Sequence, residues 1–356
     1  MKDFKKFSSN LFKKAIRKLF ILYNGKIKVV NLKSNNLPKG VIKNNKNGYF
    51  LYRIKCGKVF TDNVQNVAII KDNFLISNSS YQQHLGYYLN AKKNFVVRYG
   101  TPKFLKKISG NTLSLVQGAS GENYFHWLFD VMPKLKITFD QIKPKKIDYY
   151  YLPEIKSNFQ KEILSKLNIS KKKIINSNKI RYLQSDELLV PEHPWFTKGY
   201  MFKEYNKLPS WIIKWLRKKF LKKTNIKSKY KYIYIDRSDS AFNRSQILNS
   251  NLLWKELKNY GFKRLILSNK KFSDQVKIFQ NCKIVVGATG AGLANLAFCK
   301  KSTKVIELRP KKYKSANVYQ RISKVNKLRY SKVIIDNDKK TNFTVPVPKI
   351  IELLNK

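Results

Sequence analysis

The chain has 356 residues, 43% of them hydrophobic, and carries 74 Lys and Arg against 21 Asp and Glu, a formal net charge of +53 at pH 7. That length exceeds what one core usually fills, so two domains are expected, and the apolar content excludes a disordered chain. The charge attracts any polyanion or anionic bilayer, but Lys is spread over loops and helices without a clustered stripe, as A+T-rich coding would produce, and so argues for no specific nucleic-acid partner.

In chain order, residues 4–23 place Phe4, Leu11, Ala15, Leu19 and Leu22 near one helical face, with Lys5, Lys6, Lys13, Lys14, Arg17 and Lys18 over the other. This reads either as an amphipathic anchor on an anionic leaflet or as a helix packed on the protein's own surface. Residues 24–110 read as a β-rich extension of short strands, among them 67–70, 74–77 and 94–98. From Leu113 the texture alternates between strands (114–117, 148–152, 187–190) and helices (121–135, 155–167), as an α/β domain does. The 121–135 helix opens with Glu122 in its first turn and meets Pro133, which should kink or stop it. Asn123, His126 and Asp130 share one of its faces. The His126–Asp130 pair reads as a proton acceptor and its partner, Asp130 being the favoured acceptor, or as a bland pair at a domain interface.

Pro191, Pro194, Trp195 and Phe196 mark a loop fit to line a cleft. A helix at 210–222 and a polar run at 223–229 lead into a second alternation, with strands at 232–236, 264–267, 284–286 and 304–307 and helices at 252–260, 273–281 and 290–298. That pattern predicts a second doubly wound domain. Arg237 follows the first of these strands and Arg244 lies in the loop beyond, where planar guanidiniums suit phosphate oxygens; a solvated surface role is the alternative. Between two apolar runs, residues 283–310 break at a Gly-rich turn, so Gly290 and Gly292 let backbone N–H groups approach an anion of diphosphate size, or merely allow tight packing. Asp336, Asn337 and Asp338 have the D-x-D form of a metal site, but Lys339 and Lys340 follow, and the string reads as a turn. Cys56, Cys282 and Cys299 lack C-x-x-C spacing and read as buried free thiols of a reducing compartment, with a 282–299 disulfide as the minor alternative.

Three segments in this order resemble glycosyltransferase family 61. They are Asn123, His126, Trp127, Asp130, Pro133 and Leu135; then Arg237, Arg244, Ile247 and Asn249; then Gly287, residues 290–293, Asn295, Phe298, residues 305–308 and Pro310. Where the family pattern commonly carries His before Gly-Ala-Gly, this chain has Thr289. The resemblance implies an α/β fold of two Rossmann-like domains facing a cleft, the GT-B type. The domains would be a basic helix at 1–23, the β-rich extension at 24–110, an acceptor-side domain at 111–225 and a nucleotide-sugar domain at 226–356.

It further implies an inverting, metal-independent transfer of a hexosyl or pentosyl group from a nucleotide-diphosphate sugar to a glycan or lipid-linked acceptor in surface polysaccharide synthesis. The donor is a substrate, and no cofactor is called for. On this reading Arg237, Arg244, Thr289, Gly290, Ala291, Gly292, Leu293 and Asn295 hold the donor, Glu307 meets its ribose, and His126 and Asp130 supply the base. A polyanion binder, with residues 149–151 and 195–196 stacking bases, and an inactive assembly factor marked by Thr289 are the competing functions. No stretch reaches the roughly 18–20 apolar residues of a membrane span and no cleavage site follows the N-terminus, so a cytoplasmic chain, peripheral on the inner face of the cell membrane, is expected.

Overall fold

The structure, a computed structural model, describes residues 2–31, 37–63, 66–84, 87–101, 103–116, 121, 123–195, 199–221, 230–239, 245–338 and 341–356, with the backbone alone at 2–10, 24, 62–63, 83–84 and 202. Glu122, Phe196, Arg244, Lys339, Lys340, Gln117 and the run 223–229 lie outside these residues. The chain divides into two compact units, Met1–Met201 and Phe202–Lys356.

Unit 1 opens with helix α1 (Lys2–Asn24), followed by strands β1 (Lys28–Val30), β2 (Val41–Lys46), β3 (Tyr49–Lys55), β4 (Lys58–Asn63), β5 (Asn66–Lys71) and β6 (Phe74–Ile76). The short pair β7 (Gln83–His84) and β8 (Tyr87–Tyr88) precedes α2 (Phe95–Tyr99) and β9 (Lys106–Ser114). Next come α3 (Tyr124–His126), a π-turn over Trp127–Val131, α4 (Met132–Phe139), β10 (Tyr149–Leu152), α5 (Asn158–Lys166), β11 (Ile174–Asn176), β12 (Tyr182–Pro191) and β13 (Gly199–Tyr200).

The sequence separates a β-rich stretch from an α/β one, yet strands from both form one ten-stranded mixed sheet. The joint is β12. One edge of it runs parallel to β9, which continues in parallel to β10 and β11; the other runs antiparallel to β4 at Tyr182–Gln184 and to β3 at Glu187–Pro191. A strand paired on both edges and buried along most of its length belongs at a sheet's centre, and β12 has only two partly exposed and one exposed residue among its ten. Two apolar layers form around it, one holding Tyr52, Ile54, Tyr151, Leu183 and Leu188, the other Phe60, Ile70, Leu75, Val96 and Tyr182. Tyr150 and Tyr151 are both buried, Tyr151 in the first of these layers, rather than presented to a partner.

Three local expectations are corrected. Residues 94–98, read as a strand, begin helix α2, because the Asn94 side chain accepts the Val96 amide at 3.0 Å and caps it. Pro133 does not stop its helix: a π-turn over Trp127–Val131 leads into it, the proline falls in the first turn of α4, and the Phe129 carbonyl four residues back accepts the Trp195 indole N–H at 3.1 Å in place of the amide that proline lacks. Cys56, read as buried, is exposed at the β3–β4 turn, where its φ is 52°.

Helix α6 (Met201–Glu204) begins on the last residue of unit 1, and unit 2 continues with α7 (Ser210–Phe220), β14 (Tyr232–Asp236), α8 (Ser250–Asn259), β15 (Lys263–Ile266), α9 (Phe272–Asn281), β16 (Ile284–Ala288), a 3₁₀ segment Ala291–Phe298, β17 (Lys304–Pro310), α10 (Val318–Val325), β18 (Arg329–Ile335) and α11 (Val347–Asn355). Its five strands are all parallel in the order β15-β14-β16-β17-β18. Tyr234, Val286, Ile306 and Val333 pack on one face with Leu253 and Leu257 of α8 and Ile350 of α11. Residues offset by one in the strands serve the other face, where Ile235 meets the 3₁₀ segment at Gly292. This is the doubly wound domain that the alternating sequence predicts.

The crossover at 290–298 is wound as 3₁₀ rather than α. Such runs are short because their hydrogen bonds are poor. Here side chains satisfy the last carbonyls: Asn326 Nδ2 donates to Leu296 O and Ala297 O, both at 2.9 Å, and Arg217 Nη1 to Ala297 O at 2.9 Å and Cys299 O at 2.7 Å. Cys282 and Cys299 are buried free thiols.

Candidate functional site

In unit 1, Asn123 does not share in the chemistry its face suggested. It is the cap of α3, its side-chain oxygen accepting the amides of Phe125 at 2.9 Å and His126 at 3.2 Å. The π-turn that follows sets the spacing of His126 and Asp130, whose Nδ1 and Oδ2 lie 2.6 Å apart. The other Asp130 oxygen accepts the Trp195 indole N–H at 2.9 Å, so the loop residue expected to line a cleft is instead buried and steadies the carboxylate. Asp130 is 2% exposed. Oδ1 and Oδ2 are both engaged, and His126, buried as well, meets the carboxylate through Nδ1.

Two buried groups beside this pair escaped the sequence reading. His193 has its Nε2 3.9 Å from Asp130 Oδ1. Burial pulls its imidazole down to about 3, against the pull of Asp130 and with help from Lys134 and His126, so it is neutral at physiological pH. Lys134, one turn past Asp130 on α4, is 3% exposed, and burial lowers its ammonium to about 7 although Asp130 opposes the shift. Its i,i+4 spacing from Asp130 was visible in the sequence; nothing local marked His193.

In unit 2 the strand order reverses between β14 and β16, and their carboxyl ends carry Arg237 and the Gly-rich turn. At such a switch point the crossovers leave in opposite directions and open a crevice, the usual ligand position of an open α/β sheet. Gly290 has φ 162°, an extended value open to any residue. Its requirement is space: a Cβ there would lie 1.3 Å from Arg237 Nη1. The guanidinium therefore lies directly on the glycine's Cα. Tyr319 Oη donates to the Gly290 carbonyl at 2.6 Å. Burial lowers the Arg237 guanidinium from its ordinary value, while Tyr319, Asp239 and Tyr313 oppose that.

Thr289, Gly290, Ala291 and Gly292 are half-buried and reach the surface, whereas Leu293 and Asn295 are fully buried. The Leu293 amide donates to Gly290 O at 3.0 Å, and Asn295 Nδ2 donates to Gln275 Oε1 at 2.9 Å and Gly292 O at 3.1 Å, so both residues shape the turn from within. Glu307 is also interior. Its Oε1 accepts the Thr289 hydroxyl at 2.5 Å and Arg309 Nε at 3.1 Å; its Oε2 accepts Arg309 Nη2 at 2.8 Å and the Tyr330 hydroxyl. Burial depresses the Arg309 guanidinium and the Glu307 carboxylate more than offsets it, so the net shift is upward. The carboxylate expected at a ribose is thus occupied under the turn. Arg309, two residues from Glu307 and so on the same strand face, was legible by period; Tyr319 and Tyr330 carried no local signal.

Asp336, Asn337 and Asp338 close a turn: Asp338 Oδ1 accepts the Asn342 amide at 2.8 Å, and Asn337 Oδ1 accepts the Lys312 amide at 3.0 Å. The model of the family described as Glycosyltransferase 61 matches residues 124–306, just over half of the 356. The chain belongs to glycosyltransferase family 61. No curated protein is similar enough to count as a relative. The family 61 match opens on α3, two residues before His126, and closes on β17, one before Glu307. It therefore takes in the His126–Asp130 pair, Arg237 and the whole Gly-rich turn of this glycosyltransferase, which by its family takes a sugar donor and an acceptor.

Proposed function

We propose that this glycosyltransferase is an inverting, metal-independent enzyme of GT-B type that moves a hexosyl or pentosyl group from a nucleotide-diphosphate sugar to a glycan or lipid-linked acceptor of a surface polysaccharide. The observation that carries the donor half is the Arg237 guanidinium stacked on Gly290 at the switch point of the parallel sheet. A fixed cation beside the free amides of a turn offsets charge on a departing diphosphate without a metal ion. Arg244, in the sequence loop that follows, is assigned to the same diphosphate, and Ala291 and Gly292 contribute backbone amides. The Thr289 hydroxyl has spent its proton on Glu307. It holds the turn's shape and presents only lone pairs outward.

The acceptor half rests on His126. Nε2 takes the proton of the acceptor hydroxyl as that oxygen bonds to the anomeric carbon; the bond from that carbon to the diphosphate breaks, and its electron pair leaves on the phosphate oxygen. Asp130 is a positioning residue, holding the imidazole by Nδ1 and favouring the cation that forms. The sequence reading favoured Asp130 as acceptor; two engaged oxygens and deep burial favour His126 instead.

The test is calorimetric titration of UDP, GDP, CMP and their sugar conjugates, with and without EDTA, into the wild type, Arg237→Ala and Arg244→Ala. One nucleotide should bind, survive EDTA and weaken at least tenfold in each variant. Binding of heparin or RNA with a steep salt slope, and of no nucleotide, would sink the transferase reading in favour of a polyanion binder. Nucleotide binding with no turnover on any acceptor would leave an inactive assembly factor.

A further inference from the structure

Within unit 1, helix α1 is held by Phe20, the one buried side chain among its described residues, which is 6% exposed and packs with Phe60, Ala68, Leu75 and Val96. Gly100, at φ 73°, completes the seat: a Cβ there would lie 2.5 Å from Phe20 Cβ. Ile16 and Lys13, on the same side as Phe20, are half-buried, and Lys13 Nζ lies 5.5 Å from the centre of the Tyr99 ring. The inner side of the helix is thereby fixed.

That fixation leaves an apolar face outside. At about 100° per residue, Leu11, Leu22, Ala15, Leu19, Phe12 and Tyr23 follow one another across an arc of about 120°. It does not turn into the core: Leu11 is 60% exposed, Phe12 64%, Leu19 56%, Leu22 76% and Tyr23 82%. Lys14 and Lys18, both exposed, border the arc on the side away from Phe20, and Arg17 lies beyond them. Phe104, four residues past the Gly100 seat, is fully exposed as well. Singly exposed hydrophobics are ordinary; five on one helical face are not.

We propose that this face of α1 lies on an anionic lipid bilayer, with the apolar arc in the headgroup–acyl boundary and Lys14 and Lys18 reaching lipid phosphates. Long basic side chains can rest their stems against the apolar layer while the ammonium stays at the headgroups, and an aromatic residue at the helix end suits the interface. Charge complementarity selects this occupant. A second copy of the chain would bring another +53 to the same place, whereas an anionic leaflet is attracted by every basic residue within a Debye length of it. Among the described residues no helix is long and apolar enough to cross a membrane, so the proposed contact lies on the surface.

The test is flotation of the full chain with phosphatidylglycerol–phosphatidylcholine vesicles and with phosphatidylcholine vesicles. The variants are Leu19→Ser with Leu22→Ser, Lys14→Gln with Lys18→Gln, and Phe12→Ser alone. All these side chains are exposed, so the variants should melt with the wild type, and the first pair leaves net charge unchanged. Wild type should float with the anionic vesicles only, and each double variant should lose about tenfold or more in partitioning. Undiminished flotation of the Leu19/Leu22 variant would overturn the proposal, because attraction would then be diffuse charge. So would a wild-type dimer in sedimentation that the same variant dissociates, since the arc would then be a protein interface.

Discussion

Gly290 and Arg237 act as one unit, because the space a Cβ would need is already filled by the guanidinium. Gly290→Ala should therefore weaken nucleotide binding as much as Arg237→Ala does, at least tenfold, and the double variant should lose no more than either alone. Calorimetry of the four proteins closes that cycle, and additive losses would mean that the two residues contact the donor separately. At the other site, His126→Ala should lower turnover by about 10²–10⁴-fold while leaving nucleotide affinity unchanged, the loss expected of a general base. An equal loss of binding would make the pair structural. His193 supplies a pH dependence. Its folded value of about 3 lies below the ordinary value near 6.5, so between the two the unfolded chain takes a proton that the folded chain refuses. Stability is undiminished above pH ~6.5 and falls as pH drops toward ~3, by up to about 1.4 kcal/mol per pH unit for this one group. His193→Gln, whose amide oxygen can still accept the Trp195 backbone N–H that His193 Nδ1 accepts at 3.3 Å, should flatten that slope in denaturation curves taken across the range.

The α3–π–α4 element shows how a local cap can set the geometry of a reacting pair. Asn123→Ala removes an acceptor from two amides and should cost about 1 kcal/mol in urea unfolding, whereas Asn123→Asp, which keeps the acceptor, should cost less. An equal cost for both would show that the cap is not what Asn123 contributes. The His126–Asp130 pair was legible because i,i+4 neighbours meet on any helical winding close to 3.6; the π-turn was not, since Pro133 signals an end and says nothing of a widened turn before it. β14, β16 and β17 were legible as apolar runs between polar loops, which is what strands buried on both faces look like. Residues 94–98 misled for the opposite reason. Their Val-rich composition suits a strand, and one hydrogen bond from Asn94 overrides it. The network under the turn was half visible: Glu307 and Arg309 share a strand face, but Tyr319 and Tyr330 arrive from α10 and β18, and no spacing rule reaches across 20 residues of chain to the side chain that will meet them.

At the scale of the whole molecule the charge dominates. Most of 74 basic groups repel one another with 21 acidic groups to balance them, so the folded protein should gain stability as salt screens that repulsion. Raising ionic strength from about 0.01 to 0.15 M, where the Debye length falls from about 30 to 8 Å, should raise the melting temperature, and a fall would mean that specific ion pairs outweigh the net charge. The sheet of unit 1 was the least legible feature of the sequence, because the pairing of β12 with β9, β3 and β4 joins residues more than 70 apart. That same pairing orders events during synthesis. The hairpins β2–β3 and β4–β5 and the strands β9 to β11 all emerge from the ribosome before β12, the strand that joins them. From Leu152, where β10 ends, until Pro191, where β12 ends, the nascent chain holds three partial sheets, β2–β3, β1-β6-β5-β4 and β9–β10 with the later β11, whose edges toward β12 face water, and its exposure to aggregation ends only when its central strand arrives last.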